Sequence, residues 1–525
     1  MPSHTFGRRQ ALRLLAGAAA APWFLQYGRA LAGQDYPFGL GVASGDPAHD
    51  GFVIWTRLSS LPLYPGNEER LPNRVPLTWE VAEDANFRRI VQRGQSNALR
   101  LLGHAVHVEL HNLRPGREYW YRFIALGDVS PSGRAITLPS PTASPERLHL
   151  VVASCANWER GYFSAYRHMA EERPDLTLFL GDYIYEYSLP TGAADLVRPY
   201  GAAEATDLAG YRYRYALHHS DPDLQALHAA APCLATWDDH EVQDDYSGEH
   251  AKDPAVRPAE FIRRRAAAYQ AFLENLPLRR PAREADGRPR IYRSFRYGQL
   301  ASLPVLDGRQ YRSRQPCPVA PHHGKGHLEP ATCQDLRDPR RTLLGFAQER
   351  WLYDQLRNSD SRWQLIAQNL LVAPLRIPAA MPDEDRYWTD NWDGFQAARD
   401  RLLESLHQSR VANPVILSGD YHSFWANHLH LRAEDPQSPR VATELVGTSI
   451  TSNGPSYESV QAIMPVNPHV RFYDSRSRGY LSLDLDRTRL EVRMQAISER
   501  ADPHASLATL KRFSVESGDP RLHPG

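Results

Sequence analysis

The chain has 525 residues, long enough to bury a large core and to form more than one domain. Its 61 lysines and arginines are balanced by 61 aspartates and glutamates, so no net field favours nucleic acid or an anionic membrane, and any preference for anions has to be local. With 25 tyrosines and 11 tryptophans beside 41 prolines, the composition is that of a folded protein with long ordered loops, not of a disordered chain.

In chain order, the first feature is "TFGRRQALRLLAGAAAAPWFLQYGRALAG", in which paired arginines precede an apolar run that ends in Ala30, Leu31 and Ala32. This order predicts a twin-arginine export signal over 1–32, read by the twin-arginine translocation machinery and cleaved after small residues. No later segment approaches the roughly 20 apolar residues that cross a bilayer, so no transmembrane segment is expected and the mature protein is expected to be periplasmic or secreted. A monomer is expected.

From 36 to 138 the sequence runs in short alternating segments, "FVIWTRL", "VPLTWEV", "HAVHVEL" and "EYWYRFIAL", divided by Pro, Gly and Asn turns. These predict an N-terminal β-sandwich. "LPSPTASPER", with three prolines and no apolar period, reads as a linker over 139–147. Beyond it, over 148–525, apolar strands alternate with helices: "LHLVVASC" with "GYFSAYRHMAEE", "LTLFLGD" with "LAGYRYRYALHH", and "CLATWDD" with "AEFIRRRAAAYQAFLENL". "WQLIAQNLLV" and "NPVILSGDYH" flank a further helix, "FQAARDRLLESLHQSR". The pattern predicts an α/β domain with sheets covered on their faces and ligands bound beyond the carboxyl ends of the strands.

Of the four cysteines, Cys317 and Cys333 share a loop rich in Pro, His and Gly and are expected to close a disulfide. Cys233 opens an apolar strand and reads as a core thiol. Cys155 ends one.

The strand ends carry the chemistry. "LHLVVASC" ends at Cys155, "LTLFLGD" at Asp182, "CLATWDD" at Asp238 and Asp239 with His240 and Glu241 following, and "NPVILSGD" at Asp420 with His422 two residues on. One aspartate after a strand is usually a cap or a turn residue. Four metal-capable side chains at equivalent edges point instead to cations, because carboxylates gathered without one would be forced to protonate. The thiol, phenol and imidazole of Cys155, Tyr185 and His422 suit a transition metal, whereas Asp239, Asp420 and Asn369 suit a hard ion, and Asp182 is placed to bridge the two.

The ordered set Cys155, "GDYIYE", "TWDDHE", "LDGRQYR", "SGDYHSFWANH" and "ELVGTSITSNG" resembles the PhoD-type alkaline phosphatases across the whole mature chain. More distantly it is similar to purple acid phosphatases and calcineurin-like metallophosphoesterases. Their Gly-Asp-x-x-Tyr, Gly-Asn-His-Glu and Gly-His-x-His motifs match Gly181 with Asp182 and Tyr185, Asp238 through Glu241, and Gly419 through His422. The resemblance implies a calcineurin-like metallophosphoesterase sandwich of two β-sheets flanked by helices, with a small N-terminal β-sandwich. It implies Fe(3+) at Cys155, Asp182, Tyr185 and His422 and Ca(2+) at Asp182, Asp239 and Asp420, with Mn, Zn or Co as alternative metals; the strand-end reading adds Asp238 and Asn369 as candidate ligands. The sequence departs from the wider superfamily at Cys155, where an aspartate is usual, and at Asp239, where an asparagine is. Tyr183 stands where PhoD-type enzymes can have a phosphate-contacting arginine.

The expected function is hydrolysis of a phosphate ester by activated water at a two-metal site, with no protein nucleophile. His240 is the candidate for protonating the leaving oxygen or steadying the phosphate, the bland alternative being that it only orients the ligand Asp239, and Arg309 for binding a phosphate oxygen or serving in an ion pair. A phosphodiesterase or phospholipase D-like activity on the same site is the alternative within enzymes. A non-catalytic, calcium-stabilised secreted binding protein is the alternative outside them.

Overall fold

The computed structural model describes residues 36–59, 71–318, 326–378 and 386–525, so the export signal expected over 1–32 lies outside the described residues. Two large sheets dominate. The first has ten strands in the order Asp519–Pro524, Leu507–Glu516, Arg489–Ile497, Arg478–Asp486, Arg147–Ala153, Leu176–Leu180, Cys233–Thr236, Val42–Ala48, Gly51–Arg57 and Ala105–Glu109. Its centre, Arg147–Ala153, Leu176–Leu180 and Cys233–Thr236, is parallel. The second sheet has seven strands, ordered Arg293–Tyr297, Ala301–Val305, Trp363–Ala367, Pro414–Ser418, Arg440–Val446, Phe424–His430 and Val470–Asp474, of which the second to fifth are parallel.

Strand periodicity accounts for the layering. Alternate side chains point to opposite faces, so a strand covered on both sides must be apolar at every position. Leu148, Leu150 and Val152 face the second sheet and meet Leu303, Val305, Leu365 and Leu417 in an inter-sheet core. Val151, Ala153, Phe179 and Ala235 face the other way, onto Tyr166 and Met169 of the helix Ser164–Glu171 and Tyr269 and Phe272 of Pro258–Asn275. On the far side Ile366 and Ile416 pack under the helices Phe346–Arg357 and Gln396–Gln408. Shortening one inter-sheet leucine, as in Leu178→Ala, would cost about 2–5 kcal/mol by opening a cavity. The result is the expected α/β sandwich of two sheets between helices.

The N-terminal strands form a β-sandwich, but not a separate one. A sheet built on Arg74–Ala82, Ile90–Leu99 and Glu118–Ala125 packs on Val42–Ala48, Gly51–Arg57 and Ala105–Glu109 through Val75, Val81, Phe52, Ile54 and Val106. Those three strands also extend the ten-stranded sheet, because Val42–Ala48 runs parallel to Cys233–Thr236. Trp55 donates to the Glu274 carbonyl at 2.8 Å and Arg57 to Asn275 Oδ1 at 2.9 Å, tying this sandwich to the long helix Pro258–Asn275. The proline-rich segment 139–147 therefore divides the chain without dividing the sheet.

Cys317 and Cys333 are joined in a disulfide, as their context predicts. Cys233 is a free, buried thiol in the helix-facing core. Among the described residues no helix is long and apolar enough to cross a membrane.

Candidate metal centre and active site

The parallel strands of both sheets deliver their carboxyl ends to one place, and the backbone turns sharply there. Cys155, Asp182, Asp420 and His422 all adopt left-handed conformations, with φ of 60°, 51°, 60° and 51°. Non-glycine residues persist in this region only where the surrounding structure over-determines them, and such residues cluster at functional sites. Gly181, at φ 92°, is required for a second reason: a Cβ there would lie 2.4 Å from the Asp238 Cβ. The loops are tied to each other. Ala156 N–H donates to the Asp182 carbonyl at 2.9 Å, and buried Glu241 accepts the N–H groups of Asp182, Tyr183 and Asp238 at 3.0, 2.6 and 2.6 Å. Burial raises the Glu241 carboxyl to about 7, against those three hydrogen bonds.

Three of the predicted ligands meet at once. One donor atom from each of Cys155, Asp182 and His422 lies within 4.8 Å of the others. Tyr185 joins them, its hydroxyl donating to Asp182 Oδ2 at 2.8 Å, receiving the Ser452 hydroxyl at 2.7 Å, and lying 3.2 Å from His422 Nε2. His422 Nδ1 donates to the Asn453 carbonyl at 2.7 Å, which assigns its proton to Nδ1 and leaves the Nε2 lone pair facing Asp182.

A second group follows directly. Asp238, Asp239 and Asp420 bring carboxylate oxygens within 4.8 Å, and Asp182 and Asp239 take part in more than one such group. Asn369 donates through Nδ2 to Asp238 Oδ1 at 2.6 Å. Asp182 Oδ1, Asp238 Oδ2 and Asn369 Oδ1 are buried with no hydrogen-bond partner. Burial and the neighbouring carboxylates push Asp182 and Asp420 well above the usual carboxylate range, and burial with the charges of Asp182 and Asp420 does the same to the Cys155 thiol. Orphaned oxygens and like charges in one buried space are costly unless a cation is shared among them. A thiol, a phenol and an imidazole on one side, with carboxylates on the other, fit a transition metal beside a hard ion, whereas Asn369 presents its amide nitrogen to Asp238 and not its oxygen as expected.

His240 is buried beside these groups. Its ring lies 4.1 Å from that of Tyr185, and its Nδ1 is 2.8 Å from Glu186 Oε2. Burial works against the charged imidazole, but Glu186, Asp239 and Asp182 outweigh it and raise His240 well above its ordinary value.

Of the two readings of Arg309, the structure shows the ion pair, and Arg309 does not face a substrate. It is fully buried and pairs with Asp238, with Asp390 at 2.7 Å, with Asp239 at 3.5 Å and with Asp420 at 3.7 Å, so it serves as the internal counter-charge of the cluster. Tyr183, at the position where PhoD-type enzymes can have a phosphate-contacting arginine, is turned away from the site: its hydroxyl is 2.8 Å from His228 Nε2 and its ring packs in the helix-facing core. Sequence reasoning passed over Asp390, which lies in "YWTDNWD" after no recognisable strand, and Glu186, whose only signal is its place four residues after Asp182. Asp390 also receives Arg312 at 3.1 Å.

Comparison with known proteins gives this geometry its context. The family model "PhoD-like phosphatase" matches residues 150–494, and "PhoD-like phosphatase, N-terminal domain" matches residues 25–139. Alkaline phosphatase D of Bacillus subtilis (strain 168) is 40% identical over 486 residues, which cover 91% of this chain and 81% of that protein. A solved structure of PhoD aligns with a TM-score of 0.87 and 38% identity, over 94% of this chain and 92% of that one. With both parts of the chain matched and the fold shared almost end to end, the chain belongs to the PhoD-like phosphatase family and is a metal-dependent phosphatase.

Proposed function

We propose that this phosphatase hydrolyses phosphate monoesters at a two-cation centre, with iron held by Cys155, Asp182, Tyr185 and His422 and calcium held by Asp182, Asp239 and Asp420. The observation that carries this reading is the pair of buried, unpartnered oxygens, Asp182 Oδ1 and Asp238 Oδ2, within a cluster that also holds a thiol, a phenol and an imidazole. When bound, such cations supply Lewis acidity toward the phosphoryl oxygens and make water a nucleophile near neutral pH.

The chain's own residues do the rest. Asp182 is shared between the two ligand sets, and the Asn453 carbonyl keeps His422 in the tautomer that offers Nε2. Arg309 offsets part of the charge of the carboxylates packed around it, and a shared cation would have to supply the rest. Glu186 holds His240 protonated and oriented, ready to hand a proton to the leaving oxygen from Nε2. A structural calcium site has no use for a buried cysteine and tyrosine, which argues against a non-catalytic binding protein.

The same reading places the mature protein outside the cytoplasm, on the strength of Arg8 and Arg9 ahead of the apolar run. Elemental analysis of protein purified without added metal, beside turnover of a monoester and a diester, tests the centre. Iron and calcium in stoichiometric amounts with faster monoester turnover are expected. A faster diester reaction would transfer the assignment to phosphodiesterase or phospholipase D-like chemistry.

A further inference from the structure

Among the described residues the floor of the centre offers a phosphate no free guanidinium. Arg309 is spent on four carboxylates, and Tyr183, at the position where PhoD-type enzymes can have an arginine, is turned into the core. The exposed side is marked by His422 and Asp420, whose side chains are 24% and 19% exposed. Two arginines are tied to His422 through Asn453, Arg500 directly and Arg160 by way of Asp195.

Arg160 ends the short turn Trp158–Arg160 that follows Cys155. Its guanidinium charge acts on the Tyr187 phenol, which accepts from Asn157 Nδ2 at 3.2 Å and whose ring lies 5.4 Å from His240 and 5.6 Å from Tyr185. On its other side it is ion-paired with Asp195. The Asp195 carboxylate also accepts from Asn453 Nδ2 at 2.7 Å, and Asn453 is the residue whose carbonyl holds His422. Arg500 donates to Asn453 Oδ1 at 2.5 Å and to the Thr451 carbonyl at 2.7 Å, and comes within 4.0 Å of the same Asp195 carboxylate. Two guanidiniums thus share one carboxylate, on a strip of residues joining the His240 side of the centre to its His422 side. The mount is rigid. Buried Glu159 accepts Leu189 N–H and, at 3.0 Å, Tyr200 N–H, while its carbonyl accepts Val197 N–H at 2.7 Å, which pins the segment carrying Asp195.

We infer that Arg160, with Arg500 beside it, recognises the phosphate of the substrate at the mouth of this centre, and that Asp195 occupies the guanidinium until a phosphate displaces it. The inference rests on the phosphatase reading above. A phosphate dianion offers more charge and more acceptor oxygens than one carboxylate, and the planar guanidinium fork matches it in two-point contact. Asp195 therefore acts as a competitor within the protein, and removing its charge improves the affinity for phosphate.

Two substitutions of opposite sign test this in the metal-loaded enzyme, with inorganic phosphate as probe by calorimetry and with monoester kinetics alongside. Arg160→Ala is expected to weaken phosphate binding and raise KM roughly tenfold or more, with Arg160→Lys recovering part of the loss. Asp195→Asn, which keeps an oxygen for Asn453, is expected to tighten phosphate binding and lower KM. Damage to the fold would move both variants the same way, so a loss of phosphate affinity in Asp195→Asn, or an Arg160→Ala affinity within twofold of the parent, overturns the inference. Opposite shifts in phosphate affinity in an enzyme that turns over no ester would sustain it and refute the hydrolytic reading instead.

Discussion

The Tyr185 hydroxyl lies 2.8 Å from Asp182 Oδ2, and Ser452 donates to it from behind at 2.7 Å. A core tyrosine needs one partner for its hydroxyl; here a carboxylate, a serine and the Nε2 side of His422 converge on one oxygen. Burial and the charge of Asp182 hold the phenol well above its ordinary value, so the phenolate the proposed iron requires has to be stabilised by the metal itself.

Tyr185→Phe is the sharpest test of that assignment. As a packing residue it would cost only about 0.5–1.5 kcal/mol for one lost hydrogen bond. As a ligand to ferric iron it should give the protein a visible charge-transfer band, which Tyr185→Phe bleaches or shifts while circular dichroism stays unchanged and turnover falls. A colourless wild type with a full complement of iron removes Tyr185 from the ligand set.

The two ligand sets should also part company under chelation. Asp239 and Asp420 offer only oxygens, whereas Cys155 and His422 add softer donors, so calcium is expected to leave first. EGTA should abolish turnover with iron still bound, and added calcium should restore it. Full activity in excess chelator rejects the second cation.

Much of this centre was readable because parallel strands covered on both faces are apolar throughout and stop abruptly. Leu176–Leu180 is such a run, so the Gly181–Asp182 step after it stood out, and Cys155, Asp238 and Asp420 stood out in the same way. What could not be read was set by partners distant in sequence. Arg309 looks like a substrate-binding arginine in "LDGRQYR"; only the positions of Asp238, 71 residues before it, and Asp390, well after it, bury it. Likewise "HAVHVEL" shows a strand, but nothing local says that its sheet continues into the one carrying the candidate metal ligands.

His240 is expected to matter in proportion to how much its proton is needed. An alkoxide leaving group must be protonated as the ester bond breaks, while p-nitrophenolate leaves unaided. His240→Asn should therefore slow an alkyl phosphate roughly a hundredfold or more, within the range for a general acid, and p-nitrophenyl phosphate far less. Glu186→Gln, which removes the carboxylate 2.8 Å from Nδ1, should show the same leaving-group pattern in weaker form. Equal losses on both substrates would make His240 a structural or phosphate-holding residue.

The last prediction concerns stability at alkaline pH, away from the centre. His149 sits between two carboxylates, with Nδ1 3.0 Å from Asp484 and Nε2 3.3 Å from Glu172, and Arg493 reaches both acids at 3.0 Å. Tyr480 and Ser482 also donate to Glu172 at 2.6 Å. Burial disfavours the imidazolium, but the hydrogen bonds to Asp484 and Glu172 outweigh it and raise His149 to about 9, while burial of Glu172 is likewise outweighed and its carboxyl falls to about 2. A raised histidine binds its proton more tightly in the folded state, so its contribution is complete below about pH 6.5 and is lost as the pH rises through about 9. Glu172 behaves in the opposite sense, contributing above about pH 4.5 and losing its contribution as the pH falls toward 2. These residues link the strands Arg147–Ala153, Arg478–Asp486 and Arg489–Ile497, so the loss loosens the sheet that carries Cys155. Thermal melts of the metal-loaded protein should show the Tm of the wild type falling between pH 6 and pH 10. His149→Gln should start lower at pH 6 and change less over the same interval, and a parallel decline in both proteins would assign the alkaline loss to other groups.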